Sequence, residues 1–180
     1  VMAYDYRGYG QSSGRPSEKG TYEDAEQALA WLQKKGFDLS KTISLGESLG
    51  GAIATKLATQ HSLGGLVLQS TFTRIVDIGK ELFPWLPVET VSAIRYDSIN
   101  KLPSLQIPIL ILHSREDDLI PFHHAERNFE ACNAPKLLKE LQGDHNTGID
   151  QSRLQYRQHI TDFKRILIPG GSIQEEGTTL

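Results

Sequence analysis

Apolar positions along this chain fall into two alternating patterns. Short stretches rich in apolar residues occur at Val1 to Tyr6, Thr42 to Leu45, Leu66 to Leu68, Ile107 to Leu112 and Leu137 to Leu141. Each is short enough for a strand and apolar enough for one that is buried. Between them the apolar residues adopt helical spacing. Tyr22, Ala25, Leu29 and Leu32 share one face of a predicted helix, with Thr21 and Asp24 as a capping-box-like pair before it. Lys34-Lys35-Gly36 supplies a cationic last turn and a glycine stop. Further helices are predicted over residues 52–60, 123–132 and from about 153 to 167. Strands alternating with helices imply parallel pairing and right-handed crossovers, an α/β architecture.

Residues 72–105 break the alternation. Phe83-Pro84-Trp85-Leu86-Pro87 is too rich in proline for regular structure and too apolar for a solvated loop. Two readings stand here: a packed connection burying its own aromatics, or a small cap whose apolar side chains line a pocket. The polar, glycine-containing end from residue 169 to 180 reads as an unstructured tail. Residues 1–168 therefore form one domain.

Composition narrows the class. At 38% hydrophobic residues and a net charge of −3, the chain is an ordinary globular one with no basic stripe for nucleic acid. The single cysteine, Cys132, excludes an intrachain disulfide framework and fits a reducing compartment such as the cytoplasm. It reads as a core thiol rather than a reactive one. A signal peptide or membrane anchor ahead of Val1 would leave no trace in these residues.

The chemistry lies at the ends of the apolar runs. Ile43-Ser44-Leu45-Gly46-Glu47-Ser48-Leu49-Gly50-Gly51 is a strand, a G-x-S-x-G and the start of an alanine-rich helix. Such a nucleophile elbow holds Ser48 in a strained turn above the sheet, with glycines at 46 and 50 where backbone passes close. The Leu49 amide then faces any oxygen that becomes negative. The second signal is Asp117, beyond the run ending at Leu112, and the third is His145, beyond the run ending at Leu141. Asp117 follows Ser48 by 69 residues and His145 follows Asp117 by 28. His113, His123 and His124 match no metal-ligand spacing with a mechanism behind it, so neither metal nor cofactor is expected. Asp5 and Arg7 read as a polar pair bracing a loop.

Four segments resemble the alpha/beta-hydrolase-fold serine hydrolases, in their small, single-domain, esterase-like branch. They are Tyr4-Asp5-Tyr6-Arg7-Gly8-Tyr9-Gly10-Gln11-Ser12, Gly46 to Gly51, Asp117 to Pro121, and Gly143 to Asn146. The resemblance implies a mostly parallel sheet with helices on both faces and its first strands missing, so the chain reads as the C-terminal part of a longer protein. It implies Ser48 as nucleophile, His145 as general base and Asp117 as the acid behind it, chosen over Asp118 because it stands four residues before Pro121. It favours the cap reading of residues 72–105. The implied substrate is a small carboxylic ester or thioester, cleaved through an acyl-enzyme. A non-catalytic module of this fold and a serine peptidase stay open as alternatives. Finally, the family's sheet order implies a vacant place between residues 1–6 and 42–46, with unpaired backbone on both sides, unless these strands close directly into one right-handed crossover unit, and it sets the second oxyanion donor in a loop that this chain lacks.

Overall fold

A computed structural model describes residues 1–167. Its centre is a four-stranded, wholly parallel sheet formed by β1 (Ile43–Glu47), β2 (Gly65–Gln69), β3 (Ile109–Ser114) and β4 (Lys136–Leu141), in that spatial order. The helices are α1 (Glu18–Lys34), α2 (Leu49–Ala58), α3 (Ile75–Leu82), α4 (Val88–Val91), α5 (His123–Ala131), α6 (Gly148–Gln151) and α7 (Arg153–Ile166). The alternation of side chains along a strand sorts the core into two layers. Leu66, Leu68, Ile109 and Ile111 pack with residues of α1, α2 and α5, whereas Val67, Leu110 and Leu112 pack with Phe163, Tyr156 and Ile160 of α7. Both faces are thus covered, which is why β2 and β3 are apolar at nearly every position.

Two local expectations are corrected. The cap of α1 is Ser17, whose hydroxyl accepts the Gly20 amide, and not the pair Thr21 and Asp24. Those two residues lie inside the helix, where partners distant in sequence have recruited them. Thr21 shares a hydrogen bond with the Tyr96 hydroxyl, and Asp24 receives the guanidinium and the backbone amide of Arg7. Arg7 therefore braces α1 and does not pair with Asp5, which instead accepts the Gln11 amide in its own loop.

Val1 to Tyr6 form no strand, which is the second correction. An apolar run becomes a strand only where another backbone completes its ladder, and no described strand lies beside this one. Among the described residues β1 pairs with β2 alone. A cavity of about 140 Å³ is lined by Met2, Tyr4 and Tyr6 of the N-terminal segment, by Ile43 to Leu45 of β1 and by residues of α1 and α2 such as Leu29 and Ile53.

Residues 72–105, for which a packed connection and a small cap were both open, combine buried and exposed side chains. This segment contributes Phe72, Val76, Ile78, Val88 and Tyr96 to the interior but leaves Phe83 and Trp85 exposed. Phe83 and Trp85 meet edge to face in solvent, with Trp85 77% exposed. α3 stops one residue before Phe83, which precedes Pro84, because a proline disfavours helical geometry in the residue before it. The expected tail from 169 to 180 lies outside the described residues.

Candidate active site

Parallel strands deliver their carboxyl ends to one edge of the sheet, and all three candidates stand just beyond such an end. Ser48 follows β1 directly, Asp117 follows β3 by three residues and His145 follows β4 by four. Register aligns these ends, with Glu47 beside Gln69, Gln69 beside Leu112, and Ser114 beside Leu141.

Ser48 caps α2 with a backbone φ of 51° and ψ of −119°, a conformation that non-glycine residues rarely adopt. Two hydrogen bonds from the neighbouring strand's end hold it there. Its amide donates to the Gln69 carbonyl at 2.9 Å, and its carbonyl accepts the Thr71 hydroxyl at 2.6 Å. Gly46 is required because a Cβ there would overlap the Gly50 carbonyl. The second crowded position is Gly51, whose Cβ would collide with the Thr71 side chain, and not Gly50, where a Cβ would make only ordinary contact with Tyr6. Leu49 opens α2, so its amide has no acceptor within the helix and stands beside the serine.

The three side chains form one hydrogen-bonded line. His145 Nε2 lies 3.1 Å from Ser48 Oγ, and His145 Nδ1 lies 2.9 Å from Asp117 Oδ2. Asp117 is held on several sides: its Oδ1 accepts the amides of Leu119 at 3.0 Å and Ile120 at 2.7 Å. His113, fully buried, places Nε2 2.8 Å from the Ile120 carbonyl and 3.3 Å from Asp117 Oδ2. Asp118 faces the histidine from another direction and accepts its backbone amide at 3.2 Å. Glu116 accepts the Gly143 amide at 3.0 Å, so the two acids flanking Asp117 fasten the loop that carries His145.

Electrostatics follow this geometry. Burial works to raise the Asp117 carboxyl, but hydrogen bonds from His113, from His145 and from the Ile120 amide outweigh it. The group is held well below the usual carboxylate range. His145 is raised above its ordinary value, first by its hydrogen bond to Asp117, against the opposing effect of burial. Asp117 is thus an anion wherever the protein is folded near neutrality, and its charge favours an imidazolium at His145. The Cys132 thiol, pushed up to about 11 by burial, is a core group that donates to the Asn128 carbonyl.

Sequence reasoning placed Ser48, Leu49, Asp117 and His145, and the structure brings all four together. It missed Thr71, His113 and Asp118 as contributors to the arrangement. A signal for Thr71 existed: it follows the run beside the elbow's own strand, so parallel order sets it next to Ser48. No described helix is long and apolar enough to cross a membrane.

Comparison with known proteins gives a consistent picture. Residues 1–95 match the family model described as the alpha/beta hydrolase fold. An uncharacterised protein of Mycobacterium tuberculosis is 37% identical over 93% of this chain and 59% of its own length. Human alpha/beta hydrolase domain-containing protein 17B is 34% identical over 91% of this chain and 55% of its own length. The chain therefore spans less than two thirds of the curated relatives it matches. Among solved structures, an alpha-beta hydrolase from Vibrio vulnificus superposes with a TM-score of 0.66 at 25% identity, covering 86% of this chain and 61% of that one. An esterase from Pyrococcus furiosus superposes with a TM-score of 0.68 at 21% identity, covering 89% and 67%, a likeness of fold.

Proposed function

For a chain that belongs to the alpha/beta hydrolase fold family, we propose that Ser48, His145 and Asp117 form the catalytic triad of a serine hydrolase that cleaves a small carboxylic ester or thioester. The observation that carries this reading is the continuous line from Asp117 through His145 to Ser48, at 2.9 and 3.1 Å. A serine hydroxyl is a poor nucleophile unaided. His145 Nε2 takes its proton as Oγ attacks the acyl carbonyl, and Asp117 fixes the tautomer by accepting Nδ1–H and stabilises the imidazolium. The carbonyl oxygen, becoming negative, meets the Leu49 amide at the positive end of α2. His145 returns the proton to the departing alcohol or thiol. Water, deprotonated by the same imidazole, then releases the acid from Ser48.

The segment from residue 72 to 105 serves as the cap. It begins immediately after Thr71, which touches Ser48, and it carries apolar side chains in solvent at Phe83, Trp85, Val91 and Ile94. Such side chains suit the acyl or alcohol group of an ester. The test is labelling of the full natural polypeptide by a fluorophosphonate, together with hydrolysis of p-nitrophenyl acetate. Both should be lost in Ser48→Ala, with kcat lowered by about 10⁴-fold or more. Near wild-type turnover in that variant would refute the assignment.

A further inference from the structure

His113 stands one residue before the end of β3, and strand alternation puts it on the face of Ile109 and Ile111. The residue is fully buried and meets Phe122 edge to face, with ring centroids 5.9 Å apart and planes at 86°. An apolar side chain of similar volume would fill such a place without burying a polar atom. The imidazole instead leaves Nδ1 without a hydrogen-bond partner among the described residues. A buried polar atom of that kind opposes folding, so packing alone does not account for a histidine here.

The other ring nitrogen supplies the second observation. Nε2 lies 2.8 Å from the Ile120 carbonyl and 3.3 Å from Asp117 Oδ2. Both oxygens only accept, so the ring hydrogen resides on Nε2 and is shared between them. Ile120 is thereby gripped at two points, because its amide donates to Asp117 Oδ1 at 2.7 Å. The turn from residue 117 to 120 is closed against β3 with the carboxylate inside it. Oδ2, the oxygen beside His113, is also the one that makes the shorter contact with His145 Nδ1, at 2.9 Å.

We propose that His113 is a positioning residue for the reaction at Ser48: its Nε2–H fixes the face that Asp117 presents to His145 and moderates the basicity of Oδ2. This rests on the triad reading above and adds the group that stands behind the acid. A carboxylate oxygen that receives a second donor holds a neighbouring imidazolium less tightly. His145 must be neutral to act as base, so an acceptor that bound its proton too strongly would confine activity to higher pH. Burial would raise the Asp117 carboxyl, and the bond from His113 comes first among those that keep it low instead. The other charges acting on the pair are Glu47 at the end of β1, Asp118 in the same turn and Asp144 beside His145. All three stay in place when residue 113 is substituted.

The test compares His113→Met with His113→Gln in the full natural polypeptide. The two side chains have similar length and volume, but only glutamine offers an N–H where Nε2 stood. Both variants should melt within a few degrees of wild type, the scale of one hydrogen bond. In His113→Met, kcat for p-nitrophenyl acetate should fall about tenfold with KM little changed. The acid limb of kcat/KM should move to higher pH by about half a pH unit, because Asp117 then holds the His145 proton more strongly. His113→Gln should restore the wild-type limb and most of kcat. A limb that moved to lower pH in His113→Met, as when Asp117 simply comes loose, would overturn the proposal, and so would identical profiles in the two variants. Nitrogen NMR of isotope-labelled histidine in wild-type protein adds a check that no variant's folding can obscure. One buried ring should carry its hydrogen on Nε2, and a hydrogen on Nδ1 of His113 would also overturn the assignment. Fluorophosphonate labelling that depends on Ser48, beside a limb that His113→Met leaves unmoved, would sink this inference alone and leave the triad standing.

Discussion

The Thr71 hydroxyl donates to the Ser48 carbonyl at 2.6 Å and fills the space that a side chain at position 51 would need. The serine's strained backbone is thus pinned by the end of the adjacent strand, through Thr71 on one side and the Gln69 carbonyl on the other. Strain of this kind costs on the order of 1–3 kcal/mol and persists only where the surroundings over-determine it.

Thr71→Val tests that support, because valine keeps the volume and loses the donor. One hydrogen bond contributes about 1 kcal/mol net, so the melting temperature should fall by only a few degrees. The relaxed elbow should misplace Oγ, and kcat for an activated ester should drop by about 10–100-fold with KM little changed. Gly51→Ala should be worse for stability, by about 1–3 kcal/mol, since its Cβ enters the packed Thr71 side chain. Wild-type kcat in Thr71→Val would show that the elbow holds itself.

The two adjacent aspartates should separate cleanly in kinetics. Asp117 accepts the ring nitrogen of His145, whereas Asp118 accepts only its backbone amide. Asp117→Asn should leave the fold intact but lower kcat by about 10⁴-fold, through a wrongly held tautomer. Asp118→Asn keeps an acceptor for the amide, and its loss of kcat should stay below about tenfold, the scale of one weakened neutral hydrogen bond. A reversed order in the two kcat values would transfer the role to Asp118.

The pH dependence carries a sign that can be checked. The base must be neutral, and His145 is raised above the ordinary histidine value of 6.5 by Asp117. The acid limb of kcat/KM should therefore have its midpoint above 6.5. In Asp117→Asn the largest raising contribution disappears while burial still opposes the charge, so the residual limb should move to lower pH. Stability depends on pH with opposite signs for the two groups. The contribution of His145 is full below its unfolded value and is lost as pH rises through the raised folded one. That of Asp117 is full above 3.8 and is lost as pH falls toward its depressed folded value. A pH–rate profile of wild type and variant decides the first pair of statements, and acid melts of both decide the second.

Much of this arrangement was legible because local pattern and parallel topology point the same way. Ser48, Asp117 and His145 each follow an apolar run, and a parallel sheet necessarily brings such positions to one edge. What escaped were features decided by partners distant in sequence. Thr21 and Asp24 have the right types to cap a helix, but Tyr96 and Arg7 claim them and Ser17 takes the role. Val1 to Tyr6 have strand composition and no ladder partner. His123 and His124 both face Glu81, 42 residues before His123, a meeting that spacing along the chain does not show.

The unpaired side of β1 leads to the last prediction. Ile43 to Glu47 are hydrogen-bonded to β2 on one side only, and across the cavity Met2, Tyr4 and Tyr6 offer side chains without a ladder. Leu45, in the middle of that strand, is 50% exposed. An open edge carrying an apolar residue is a template for another chain's backbone. Residues 1–180 expressed alone should therefore self-associate in a concentration-dependent way, visible by light scattering behind a sizing column. Leu45→Lys should shift the distribution toward monomer, because a lysine on an edge strand opposes pairing without removing any buried contact. In a longer polypeptide that supplies a strand to this place, the same substitution should instead destabilise the fold. Ester hydrolysis should be at least about 10²-fold higher there than in residues 1–180, the scale of one restored oxyanion donor. A monomeric, cooperatively melting 180-residue chain with equal activity would show that β1 is a finished edge.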